Sequence, residues 1–331
     1  MKQRCQRELN RRQLLCGLGA GASLLAAPAW AQDTWPNRPI RLILGFPPGG
    51  PTDIIARILG TRLGELFGQT IVVENKPGAN AVVAGQLVAR SPADGYTLLY
   101  NTSSFALSAA LSPKLPYSPT KDFVGIALTA AAALVLMVHP ALPVRTLPEF
   151  VAHLRNNPGK LSFASGGNGT ITHVAPVQLL QHGGLSALHV PYKGSAPAMI
   201  DLVGGQVQFA VDAMSSALPF IRDGRVRAIA VTSKERLAVL PDVPTVSEAW
   251  MPGYEALAWQ GLMAPAGTPA AIVARLNQAV NQVLGQPAVR ASLAQQGTDP
   301  LGSTPERYEA YVRQEIERWT QVARTANIVL E

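Results

Sequence analysis

The chain has 331 residues, a formal net charge of +7 and two cysteines. Residues 1–31 hold both cysteines, Cys5 and Cys16, together with five Lys/Arg and one Glu, which leaves 23 basic and 20 acidic residues beyond them, a net +3. No Lys/Arg cluster survives there to suit nucleic acid, and no thiol or disulfide chemistry is available.

The first segment reads as an address label. Lys2, Arg4, Arg7, Arg11 and Arg12 form a basic region, an apolar stretch runs from Leu14 to about Pro28, and Ala29-Trp30-Ala31 offers a small-x-small cleavage site. Export to the periplasm is expected, with cleavage near Ala31 and Gln32 opening the mature chain. Arg11-Arg12-Gln13-Leu14-Leu15 resembles a twin-arginine signal with Asn10 in place of the usual Ser or Thr; an ordinary secretory signal is the alternative. The remaining 300 residues exceed the usual size of a single core, so two lobes are expected.

In chain order, Ile40–Leu44 reads as a buried strand, and Ile54, Ile55, Ile58, Leu59, Leu63 and Leu66 then recur at helical spacing over 52–66. Between them lies Phe46-Pro47-Pro48-Gly49-Gly50-Pro51-Thr52-Asp53, with Pro51 suited to the first helical position. A glycine-rich turn opening a helix leaves amide N–H groups free, and the helix dipole favours an anion in front of them. Further strands are predicted at Ile71–Glu74, Tyr96–Tyr100, Phe123–Leu128, Val135–Val138, Leu161–Ala164, Leu188–Val190, Val207–Val211 and Arg227–Thr232. Helices are predicted over 79–90, 104–111, 147–156, 172–181, 196–203 and 215–222. The alternation implies an α/β fold with largely parallel sheets. After Trp259-Gln260-Gly261, three helices near 269–284, 287–296 and 304–326 form a tail able to wrap over the first lobe. The stretch Thr129–Leu134 leads out of one set of units, and the Pro-rich segment 241–253 reads as the return. Two such crossings join hinged lobes with a ligand cleft between them.

The first turn is echoed by Ser165-Gly166-Gly167-Asn168-Gly169-Thr170 before helix 172–181, and by Lys193-Gly194-Ser195 before helix 196–203. Neither a P-loop nor a dinucleotide fingerprint is present, and three helix N-termini at one cleft suit a carboxylate. Asp53 either stabilises its helix or orients Thr52 or an amino-bearing ligand. Asp212 binds an ammonium group or fixes the hinge, and His173 touches a carboxylate or caps its loop. His139, His153, His182 and His189 show no metal-ligand spacing, so neither metal nor cofactor is expected. A nucleophile elbow, an H-E-x-x-H helix and paired loop carboxylates are all missing, which argues against an enzyme.

The first turn, with Ala56-Arg57, resembles the Bug family, also called TctC-like proteins, extracytoplasmic solute receptors of tripartite tricarboxylate transporters. Val73-Glu74-Asn75-Lys76-Pro77-Gly78-Ala79, Asp94-Gly95-Tyr96-Thr97-Leu98, Val190-Pro191-Tyr192-Lys193-Gly194, Gly204-Gly205-Gln206-Val207, Leu240-Pro241-Asp242-Val243-Pro244-Thr245 and Ala264-Pro265-Ala266-Gly267-Thr268-Pro269 extend the resemblance over the chain beyond the signal. It implies a type II periplasmic-binding-protein fold, with lobe 1 from 32–130 plus 250–331 and lobe 2 from 131–249. It also implies a monomer that holds a small carboxylate through two facing loops and serves membrane subunits of the transporter or, alternatively, a sensor kinase. Carried onto this chain, the ligand-binding residues are Phe46, Gly49, Gly50, Thr52 and Asp53 in one loop and Ser165, Gly167, Asn168, Gly169, Thr170 and His173 in the other. Lys193, Gly194, Ser195 and Asp212 join them. Two departures stand out: Ala213-Met214 follows Asp212 where relatives carry Asn, and Pro176 lies inside helix 172–181.

Overall fold

Short aliphatic strands and helices do alternate from Ile40 onward. The computed structural model describes residues 35–112 and 114–326; the expected export signal and its cleavage site lie outside the described residues. Strands β1 (Ile40–Leu44), β2 (Ile71–Asn75) and β3 (Thr97–Thr102) pair in parallel, with β1 in the middle. Helix Pro51–Phe67 connects the first two. It opens on Pro51, ends at Gly68 in the left-handed conformation (φ 64°), and buries Ile55, Ala56, Leu59 and Leu63.

Strand β4 (Phe123–Val138) is followed by β5 (Ser162–Ser165), β6 (Leu188–Pro191), β7 (Phe209–Ala213) and β8 (Arg227–Val231). Strands β9 (Leu257–Pro265) and β10 (Thr298–Pro300) complete one sheet in the order β2-β1-β3-β9-β4-β7-β5-β6, with β8 and β10 also on β4. Pairing is parallel in the two wings and antiparallel wherever β4 or β9 takes part. The sheet is therefore mixed rather than largely parallel.

The strands expected at 123–128 and 135–138 are one strand of 16 residues, so the stretch Thr129–Leu134 is not a connection. Its alanines carry little intrinsic β preference. They are strand because partners hold both edges: Ala130, Ala131 and Ala132 face Gln260, Trp259 and Ala258 on one side and Pro300, Asp299 and Thr298 on the other. Just beyond, β4 exchanges partners. Ala133 still pairs with Leu257, whereas Leu134 pairs with Ala213 of β7. Thr232, fully buried, clips this exchange point. Its hydroxyl donates to Ala256 O at 2.6 Å and accepts from Leu134 N–H at 2.9 Å, while its own N–H donates to Leu134 O at 2.9 Å.

The C-terminal helices are Ala270–Gly285, Pro287–Gln295 and Pro305–Ala326. The last packs on β4 and on helix Ser103–Leu111, as a returning tail should. Buried Glu315 accepts from the indoles of Trp259 and Trp319, each at 3.0 Å, and so ties this helix to β9.

Candidate ligand-binding cleft

Five helices begin at the ends of strands or loops that surround one cavity of about 170 Å³: Pro51–Phe67, Ser103–Leu111, Ile171–His182, Ser195–Val203 and Met214–Arg222. Their N-cap residues, Gly50, Thr102, Thr170, Gly194 and Ala213, all line its wall. A helix start leaves several N–H groups without intrahelical acceptors and carries the positive end of the dipole. Only Thr102 among these caps satisfies such a group, accepting from Ser104 N–H; the other four have no side-chain cap bond. Helix starts grouped in this way favour an anion in front of them.

The first loop is held from behind. Asp53, 3% exposed, accepts from Gly49 N–H (3.0 Å), Asn75 Nδ2 (3.0 Å) and the Arg57 guanidinium (2.9 and 3.0 Å), and Asn75 also donates to Phe46 O. Burial raises the pKa of this carboxyl, but the bonds from Arg57, Gly49 and Asn75 outweigh it and leave it below the usual value. Gly49 adopts φ 79°, which a glycine takes without strain. Phe46, Gly50 and Thr52 face the cavity; Gly49 and Asp53 do not line it.

The second loop is braced in the same way. Ser165, 1% exposed, accepts from Gly167 N–H and lies 2.6 Å from His189 Nε2, so its hydroxyl serves the loop and is not part of the cavity wall. His173 Nδ1 accepts from Gly169 N–H at 3.1 Å, and its ring stacks on His189 with centroids 3.9 Å apart. Burial lowers both pKa values to about 4, and for His189 the neighbouring His173 adds to this, so both rings are neutral near pH 7. Of the two readings left open for His173, the geometry provides the cap. Gly169 also lies off the cavity wall and Thr170 lies on it, while Gly167 and Asn168 line an adjoining cavity of about 820 Å³ that shares Phe46, Pro47, Thr170, Lys193 and Gly194 with the first.

Lys193, Gly194 and Ser195 line the cavity, and Gly194 N–H donates to Gly166 O at 3.0 Å, which joins this turn to the second loop. A Cβ at Gly194 would stand 3.5 Å from the ring of Pro47, so first and third loops face each other closely. Asp212, 1% exposed and also on the wall, accepts at Oδ1 from Ser195 Oγ (2.8 Å), Ser216 Oγ (2.9 Å) and Ala213 N–H (2.7 Å). Burial raises its pKa, partly opposed by those three donors. Asn80 supplies a further bridge. It donates to Gly169 O at 2.9 Å from a segment where Ala79, Asn80 and Ala81 all have positive φ (45°, 51° and 70°), conformations that cost non-glycine residues energy.

Sequence reasoning missed Thr102, Ser103 and Ser104, as well as Trp259 and Gln260, all of which line the cavity. The hydroxyl run after strand 96–100 was an available signal for the first group. Nothing in the apolar run around Gln260 marked it. Among the described residues no group of His, Cys, Asp and Glu is arranged to hold a metal.

The chain matches the model of the tripartite tricarboxylate transporter family receptor over residues 55–328. Among solved structures, a Rhodopseudomonas palustris protein determined with adipate is 35% identical, with a TM-score of 0.86 and coverage of 89% of this chain and 99% of that one. The periplasmic binding protein BugD gives 33% identity and a TM-score of 0.86 over 90% and 100% of the two chains. MatC of Rhodopseudomonas palustris, with bound malate, gives 36% identity and a TM-score of 0.81 over 87% and 99%. This similarity makes the fold that of the two-lobed α/β periplasmic binding proteins.

Proposed function

This chain belongs to the tripartite tricarboxylate transporter receptor family, and on that premise we propose that its cleft captures a small carboxylate in the periplasm for delivery to the membrane subunits of such a transporter. The observation that carries the reading is the convergence of five helix N-caps on one cavity, four of them without side-chain caps. Similar proteins hold adipate and malate, both carboxylates. In this reading Phe46, Gly50 and Thr52 meet the ligand from lobe 1 (32–130 and 250–331), and Thr170, Lys193, Gly194, Ser195 and Asp212 meet it from lobe 2 (131–249). Asp53, Ser165, Gly169 and His173 shape the two loops from behind, whereas Gly49 and Asn168 are exposed and Gly167 and Asn168 line an adjoining cavity. The lobes hinge where Leu134, Thr232 and Ala256 are bonded together. Residues 1–31 act as the export signal.

Binding without chemical change is the reading the site supports. The hydrogen-bonded pair Ser165 and His189 lies off the cavity wall, with Ser165 1% exposed. Trp259 lines the cavity and provides an intrinsic probe. Titrating the mature chain with mono- and dicarboxylates is expected to change its tryptophan emission. Ligand at one hundred times Kd adds about 2.7 kcal/mol of stability and raises the melting temperature. Thr52→Ala is expected to weaken binding by ~1–3 kcal/mol if its hydroxyl donates to the ligand. A response to neutral sugars with none to carboxylates would refute the proposal.

A further inference from the structure

A strained turn reaches across the cleft. Ala79, Asn80 and Ala81 have positive φ in succession (45°, 51° and 70°), a run that glycine alone takes freely. The run lies close against the first turn, since a Cβ at Gly45 would collide with Ala81. From there the Asn80 side chain spans to the second loop. Its Nδ2 donates to Gly169 O at 2.9 Å and to Ser108 Oγ at 3.1 Å, and Ser108 Oγ donates back to Asn80 O at 3.3 Å. A carbonyl only accepts, so the amide must turn its NH2 to Gly169. That orientation leaves Asn80 Oδ1 sealed from solvent and without a donor. Gly169 in turn gives its N–H to His173 Nδ1 at 3.1 Å and precedes Thr170, the cap of helix Ile171–His182 on the cavity wall. The bonds of Thr232 with Ala256 O and of the Tyr254 hydroxyl with Ala175 O also join the two halves, but at the crossing segments near 232 and 254–256. Asn80 joins them beside the adjoining cavity instead.

Resting on the reading of two hinged lobes, we propose that Asn80 is a positioning residue that latches them together: its amide holds the second loop at the spacing from the first turn at which both meet one ligand. Positive φ at three ordinary residues is a cost, and delivering the amide across the cleft is what that conformation achieves. The latch is weak by construction. Its bond to Gly169 O favours closure, while opening admits water to the sealed Oδ1. A near balance of this kind leaves the choice between open and closed to a bound ligand.

The test is a distance between two spin labels in the mature protein, which lacks both Cys5 and Cys16 and so is labelled only where cysteine is introduced. Leu66→Cys and Ile200→Cys, at positions 40% and 66% exposed, place one label on helix Pro51–Phe67 and the other on helix Ser195–Val203. Without added acid the labelled parent is expected to show a short and a long distance, the short one being the closed state. Asn80→Gly accepts the positive φ without strain and removes the amide, whereas Asn80→Asp keeps the shape and turns a carboxylate oxygen towards Gly169 O. The ratio of short to long is expected to fall about two- to tenfold in the glycine variant, the weight of one neutral hydrogen bond, and further in the aspartate variant. A residue needed only to shape its own turn would leave the ratio unmoved in Asn80→Gly. Ratios unchanged in both variants overturn the latch, and a shift between the two distances on adding malate or adipate then leaves hinge and capture intact. One fixed distance in parent and variants alike, with or without either acid, overturns the latch and the hinge together.

Discussion

Replacing Asp53 by Asn isolates how the first loop is held. The substitution keeps the shape and removes the charge, and one oxygen becomes an NH2 facing a donor. Four bonds converge on the native carboxylate, from Gly49, Asn75 and two guanidinium nitrogens of Arg57. The Arg57 side chain is 52% exposed, so its attraction is screened, and an i,i+4 pair of this kind contributes roughly 0.3–0.5 kcal/mol. The larger cost is the donor left facing NH2 at a site 3% exposed, about 1–3 kcal/mol. A total near 2 kcal/mol is expected, read from urea unfolding at pH 7. The pH dependence carries a sign. Because the folded pKa lies below the unfolded one, the charge stabilises fully above roughly pH 4 and its contribution is lost as pH falls through the folded value. The gap between wild type and variant should persist at pH 5 and close on further acidification. Equal stability at pH 7, or a gap unchanged at pH 3, would refute this account of the loop.

Two further predictions concern the frame around the cleft. Thr232→Val orphans the Leu134 N–H and removes the donor to Ala256 O in a fully buried site, so a loss of ~2–3 kcal/mol in thermal or urea unfolding is expected. Thr232→Ser should recover most of it, and a neutral valine variant would show that the clip is not needed. His173 and His189 have folded pKa values near 4 against an unfolded value near 6.5, so the unfolded chain binds more protons between them. Stability should therefore be whole at pH 7 and decline from about pH 6.5 to 4. A His173→Gln/His189→Gln double variant should flatten that decline, and an unchanged slope would contradict the buried neutral pair.

Much of this architecture is written locally. Pro51 after two glycines, Thr146 before Leu147-Pro148 and Pro287 set helix starts that the structure places within a residue of expectation. What escaped depends on distant partners. Strand β9 was not legible because it is buried along most of its length, without alternation, and contains Gly261, where Tyr308 of the last helix leaves no room for a side chain. The alanines of β4 become strand only when β9 and β10 flank them. Of the site, the glycine turns were visible because Gly and Pro mark such turns in the sequence itself. The inward turn of the Ser165 hydroxyl towards His189 was not, since His189 arrives from a neighbouring strand 24 residues away. Gln260 enters the cavity wall for the same reason: β9 is brought beside β4 by pairing alone.

The most direct measurement is a crystal structure of the mature protein with a bound acid. The account predicts carboxylate oxygens within about 2.7–3.2 Å of backbone N–H groups from both the Gly50–Thr52 turn and the Thr170 or Gly194–Ser195 turns. A ligand held by one turn alone, or with its carboxylate directed to solvent, would contradict it.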